Sequence, residues 1–361
     1  MSFDWTQYTG NLTWLRERTI YFVRHGSHAY GTNIATSDED FRGIAIAPTE
    51  YYLGALSHFE QAEQKSPDFV IFDLRKFIQL ASQCNPNVIE ILFVDEADRV
   101  TIRTAGVALL AARDLFLTKR VRHTFSGYAA SQLKRIRVHN RWLRSPPTEQ
   151  PTRAAFGLPE TTLIPADQLA AANAAIRAQL DEWAPRFLDD LEPATRTAVT
   201  ARMAEHLATL DVTMHEDLWA GAARVVGLSD NMIEVLAREK RYASAKKEWD
   251  NFQTWKRQRN PARAELEARF GYDTKHAMHL VRLLRMCREI LETGRVLVKR
   301  PDAAELLAIR GGAWRYEQLV EWAENEDREL QAVAERSSLP KAPDLPAIDR
   351  LCADVLSDAL R

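Results

Sequence analysis

Cysteine is scarce in this sequence. Cys84, Cys287 and Cys352 are the only three in 361 residues, and they stand far apart. They form no metal-ligand spacing, which argues against a cysteine-built metal module and for a reducing compartment. An excess of one charge is also missing: 48 Lys plus Arg face 50 Asp plus Glu, a formal net charge of −2. That balance does not announce a nucleic-acid binder, although charge can still be segregated locally. No apolar run approaches the roughly 18 to 20 residues that cross a bilayer. The opening "MSFDWTQYTGNLTW" lacks the basic region and apolar run of a secretory signal. The expectation is a cytoplasmic protein that does not enter a membrane. None of these features speaks to oligomeric state.

Hydrophobic residues make up 46% of the chain, enough for a substantial core and, at this length, two or three domains. The first hundred residues alternate strand and helix signals. "TIYFV", "FRGIAIAP" and "PDFVIFD" read as strands. "NLTWLRER" reads as a short helix that Asn11 can cap, and "LRKFIQLASQC" as a helix capped by Asp73. "PNVIEILFV" starts a further helix, with Asn85 as cap and Pro86 at its first position. From about residue 100 the pattern turns to long helices, interrupted by the Pro-bearing connector "SPPTEQPTRAAFGLPETTLIP".

The stretch "RHGSHAYGTNIATSDEDFRG", residues 24–43, carries the chemistry. Side chains at i and i+2 of a strand share a face. Asp38 and Asp40 therefore project together, while Glu39 faces away. Two carboxylates this close repel unless a cation lies between them, and hard oxygen ligands suit Mg²⁺. The Gly26-Ser27 pair lets backbone amides and a hydroxyl approach phosphate oxygens closely. On spacing alone, a polar surface loop explains these residues equally well.

The wider pattern resembles a known family. Gly-Ser, a spacer and Asp-x-Asp are similar to the nucleotidyltransferase signature of the DNA polymerase β superfamily. "GSHAYGT…SDEDFRGI…YYLG", "FDLRKFIQLA…NPNVIEILF", "SGYAASQLKRI…H" and "HAMHLVRLLRM…RPDAAELLAIR" resemble the RNA repair pathway DNA polymerase β family of nucleotidyltransferases. Residues 146–240 have no counterpart in that resemblance. It implies an α+β fold: a mixed sheet flanked by helices in a catalytic domain over 1–115, then a larger helical region over 116–361. It also implies two divalent ions, Mg²⁺ or Mn²⁺, a nucleoside triphosphate such as ATP as substrate, and RNA, tRNA-like, as acceptor.

In that superfamily a third carboxylate from a neighbouring strand completes the site and serves as general base. Asp68, which opens "DFVIFD", is the expected residue. Asp73 falls an odd number of residues later, faces the opposite side and caps the following helix; Glu90 reads as a solvated helix position or a supporting contact. Arg24, His25 and His28 flank Gly-Ser and are candidate phosphate contacts, a polar loop contact explaining each equally well. Arg42 after the Asp pair can meet a phosphate or pair with Asp40. On "DTKHAMHLVRLLRMCREI", Lys275, His279, Arg282 and Met286 fall on one stripe, the first three being candidates for phosphate, while His276 belongs to a core stripe. Lys134, Arg135, Arg137 and Arg141 form an acid-free basic run with Trp142 among them, which suits RNA. Lys299 and Arg300 add a smaller basic point. Alternatives are transfer to a protein side chain or small molecule, or a non-catalytic module that binds RNA or nucleotide.

Overall fold

The computed structural model describes residues 3–162, 164–182 and 212–361. Met1–Arg144 together with Pro261–Arg361 forms one compact unit, and Ser145–Asn260 forms another.

The first unit is built on five strands: β1 (Thr19–His25), β2 (Asp40–Ala45), β3 (Gln61–Lys65), β4 (Asp68–Asp73) and β5 (Arg99–Ile102). Their order is β3-β4-β2-β1-β5. Only β2 and β4 run parallel; the other neighbours are antiparallel, so the sheet is mixed. β1, β2 and β4 match the three apolar runs. The sequence "QAEQK" of β3 and the short "RVTI" of β5 occupy the two edges, where pairing on one side suffices and no long buried run is needed.

The helices of this unit before residue 145 are α1 (Leu15–Arg18), α2 (Gly26–Tyr30), α3 (Glu50–Leu53), α4 (Leu74–Ser82), α5 (Pro86–Ile89), α6 (Thr104–Ala111) and α7 (Val121–Arg144). Asp73 caps α4 by accepting the Arg75 N–H, and Asn85 caps α5 by accepting that of Asn87. Asn11 does not cap α1. That helix starts later, behind Trp14, and the Asn11 carbonyl instead accepts the Thr13 N–H.

One sheet face, carrying Phe22, Phe41 and Phe69, is covered by Phe3, Trp5, Tyr8 and Trp14 from the N-terminal segment. Rings meet edge-on there, as Phe3 does with Phe41 at 4.9 Å between centroids. The opposite face, with Tyr21, Val23 and Ile44, joins the main core beneath the helices.

The second unit contributes α8 (Ala166–Glu182), α9 (Val212–Val225) and α10 (Asp230–Gln258). Ile164, Ile176, Trp219, Ala222, Ile233 and Leu236 form its small core. Arg153 and Glu239 make a bidentate pair there at 3.0 and 2.5 Å.

The chain then returns to the first unit as α11 (Pro261–Phe270), α12 (Thr274–Thr293), α13 (Ala303–Arg310), α14 (Tyr316–Arg336) and α15 (Leu345–Leu360). α12 packs along α7 through Ala277, Leu280, Val281, Leu284 and Cys287 against Phe125, Ala129 and Ile136. The architecture is α+β, a mixed sheet with flanking helices followed by a largely helical remainder. Among the described residues no helix is long and apolar enough to cross a membrane.

Candidate active site

β1 ends at His25, beside the start of β2, and β2 starts beside β4. In this register Asp40 is the cross-strand partner of both His25 and Asp68. Neighbours in register share a face, so Asp40 and Asp68 stand side by side, with Asp38 two residues upstream. Burial raises the Asp40 carboxyl above its ordinary range; Arg42 opposes this, the charges of Asp68 and Asp38 add to it, and Lys275 opposes it again. Asp40 thus stands within the field of both other carboxylates.

Gly26 closes the other side. It sits at φ +63°, and a Cβ there would lie 2.0 Å from Asp40 Oδ2. Only glycine allows the backbone to run against that carboxylate in this conformation. α2 follows at once and ends on Gly31, also left-handed at φ 72°, while the Thr32 N–H donates to the Ser27 carbonyl at 2.9 Å. Ser27 and His28 are half-buried on this short turn.

The flanking arginines divide. Arg42, read as a contact for phosphate or for Asp40, donates from Nη1 to Asp68 Oδ1 at 3.0 Å. Arg24 is held by the buried Asp98 through Nε at 2.8 Å and Nη2 at 2.6 Å, and reaches Glu39 at 3.3 Å. Its guanidinium is tied into the sheet edge.

The α12 stripe divides too. Burial pushes the Lys275 ammonium below its ordinary range, Arg263 and Arg310 add to that, and Asp38 and Asp40 oppose it. This ammonium therefore lies within the field of the carboxylate pair. His279 is held well below the usual imidazole range by burial, and the cations Arg282 and Lys275 add to this. Arg282 is itself engaged with Glu90 and Tyr30. It is buried, donates to Glu90 Oε1 at 2.7 Å, and lies over the Tyr30 ring at 3.9 Å.

Glu90 is fully buried, which overturns its reading as a solvated helix position. It also accepts the Tyr30 hydroxyl at 2.6 Å, and His25 Nε2 lies 3.8 Å away. Burial lowers the His25 imidazole to about 4; Glu90 opposes the shift, and Arg42 and Arg282 reinforce it. Glu90 therefore ties α2, which follows Gly26, to α12, which carries Lys275. No sequence signal marks this link, because its ends are 192 residues apart.

Asp73 caps α4 and accepts the Tyr52 hydroxyl at 2.5 Å, away from the carboxylate row. On α7, Lys134, Arg135, Arg137 and Arg141 are exposed. Arg137 pairs with Glu324 of α14, and Arg144 reaches Glu317 at 3.4 Å, so acids of another helix answer part of this basic run. Trp142 is buried and stacked on His139, 5.6 Å between centroids, and so is not a platform for bases. Arg300 is likewise buried, forked onto Glu289 at 2.6 Å twice, and is no surface point.

Asp38, Asp40 and Asp68 offer only carboxylate oxygens, the donor type that a hard divalent cation prefers, with Arg42 engaging Asp68 through Oδ1; among the described residues their ligand atoms are not gathered within 4.8 Å of one another as the side chains stand. Residues 10–145 match the family model described as RlaP, RNA repair pathway DNA polymerase beta family. No curated protein and no solved structure matches the chain.

Proposed function

We propose that this protein is a divalent-metal-dependent nucleotidyltransferase that moves a nucleoside monophosphate from a triphosphate to a hydroxyl on RNA, releasing pyrophosphate. The observation that carries the reading is the register of Asp40 with Asp68, closed by Gly26 against Asp40 and faced by the charge of Lys275. The match of residues 10–145 to an RNA repair family supports it.

Asp38, Asp40 and Asp68 would hold Mg²⁺ or Mn²⁺, which when bound stabilises charge on the attacking oxygen and the leaving pyrophosphate. The chain's own groups do the rest. The Gly26-Ser27 turn offers backbone amides and a hydroxyl to the phosphates, and Lys275 and His279 approach them from α12. The acceptor oxygen forms its bond to the α-phosphorus as the bond to the bridging β-phosphate oxygen breaks. Asp68 takes the acceptor's proton. Arg42 keeps Asp68 oriented for that role, and Glu90 keeps the α2 turn and α12 at a fixed spacing.

Part of the α7 basic run is answered by Glu324 and Glu317. That observation favours a second reading of the acceptor, a protein side chain or a small molecule, which needs no extended basic surface. Incubation with each labelled nucleoside triphosphate, Mg²⁺ or Mn²⁺, and total tRNA separates the readings. Label on RNA that Asp40→Asn abolishes supports the first, and label on protein supports the second. Nucleotide or RNA binding without any transfer, unchanged by Asp40→Asn, would leave only a binding module.

A further inference from the structure

A second cluster of ligating side chains lies on the same unit and shares no residue with the carboxylate row. His139 of α7, Asp273 at the cap of α12 and His276 on its first turn each offer a ligand atom, and these atoms all lie within 4.8 Å of one another. Glu267 of α11 adds a carboxylate, its Oε1 3.7 Å from His139 Nδ1. Three ligand-type residues from two helices and a cap thus converge where little water reaches, with Glu267 flanking one of them. Glu267 and Asp273 are buried, and the two imidazoles are mostly covered.

Each ring is already oriented. His139 is stacked on Trp142 with 20° between planes, and meets the His276 ring edge-on at 6.0 Å. His276 Nδ1 lies 2.7 Å from Asp273 Oδ2, while Asp273 Oδ1 accepts the His276 backbone N–H at 3.0 Å. A helix cap accounts for Asp273 and, in part, for His276. It does not account for His139 reaching the same point from α7, with Glu267 of α11 beside it.

We propose that His139, Asp273 and His276, with Glu267 beside them, form a binding site for a transition-metal cation of the Zn²⁺ type. Two imidazole nitrogens with carboxylate oxygens are a Zn²⁺ donor set; Mg²⁺ prefers oxygen and retained water and is not selected by it. The ion would clamp α7 to the first turn of α12, next to Lys275. The site does not depend on the nucleotidyltransferase reading.

The test uses the full chain, stripped with chelator, exchanged into chelator-free buffer with excess Mg²⁺, loaded with Zn²⁺ and desalted. The expected result is about one Zn²⁺ retained per chain, lost in His139→Gln/His276→Gln and kept in Asp38→Asn/Asp40→Asn. Loading with Co²⁺ should give the visible absorption of a tetrahedral site in the wild type and in the aspartate variant. Circular dichroism checks that the histidine variant folds, and His276→Gln alone replaces it if it does not. Failure of the wild type to retain Zn²⁺ would overturn the proposal. So would retention by the histidine variants, or loss confined to the aspartate variant, which would assign the ion to the carboxylate row.

Discussion

Glu90 and Arg282 lie 192 residues apart in sequence and meet at 2.7 Å in an ion pair with both partners buried. A buried charge left alone is far more costly than the pair is stabilising. Glu90→Ala strands Arg282, and should destabilise the protein by about 3–5 kcal/mol. Tyr30→Phe removes only one hydrogen bond to Glu90 and should cost about 1.5–3 kcal/mol. Urea unfolding of the two variants checks both the size and the order. Equal, small effects would mean that Glu90 does not anchor this region.

His25 gives that network a pH dependence. Its imidazole stands near 4 when folded, against 6.5 when free of the fold. The unfolded chain therefore binds the proton more readily, and stability present above about 6.5 should fall as pH drops toward 4, by about 3 kcal/mol at most. His279 is also depressed and adds to the same acid-side loss. Urea midpoints from pH 7 to 4 should decline less steeply in His25→Asn than in the wild type. Parallel declines would show that His25 does not carry the effect.

Gly26→Ala tests the close approach to Asp40. The new methyl would lie 2.0 Å from Asp40 Oδ2 at a left-handed φ, so the carboxylate or the turn must move. A displacement of about 1 Å at a reacting centre can cost on the order of 10²-fold in rate. Transfer of label should fall by about that factor, with the circular dichroism spectrum retained. Unchanged transfer would place Gly26 outside the site.

Asp68 and Asp73 open and close the same strand and should separate cleanly. Asp73→Ala removes a cap and the Tyr52 partner, so it should cost about 1–2 kcal/mol and leave transfer by the folded fraction near wild type. Asp68→Asn keeps the shape but removes the base, and should abolish most transfer with little change in unfolding midpoint. Reversed outcomes would assign the third carboxylate to Asp73.

These contrasts also mark what could be read from the sequence. The cap at Asp73 and the glycine turn are local properties, and local rules reach them, whereas β2 starts only at Asp40 and leaves Asp38 outside the strand whose alternation would pair the two. The facing of Asp40 and Asp68 needed the parallel pairing of β2 with β4, which no short window encodes. Exposed β3, "QAEQK", carries no apolar alternation to announce it. Trp142 and Arg300 have the composition of a nucleic-acid surface, yet both are buried, Trp142 stacked on His139 and Arg300 forked onto Glu289. Glu90 reads equally as solvated or as a supporting contact because the neighbours that decide it, Tyr30 and Arg282, come from far along the chain.

The central claim rests on the Asp40 carboxylate beside Asp68. The direct test is transfer of label from an α-³²P nucleoside triphosphate to total tRNA, with Mg²⁺ or Mn²⁺, by wild type, Asp40→Asn and Asp68→Asn. The account predicts labelled RNA and released pyrophosphate from the wild type, and loss of at least about 10²-fold in each variant. Transfer by Asp40→Asn at the wild-type rate would contradict it.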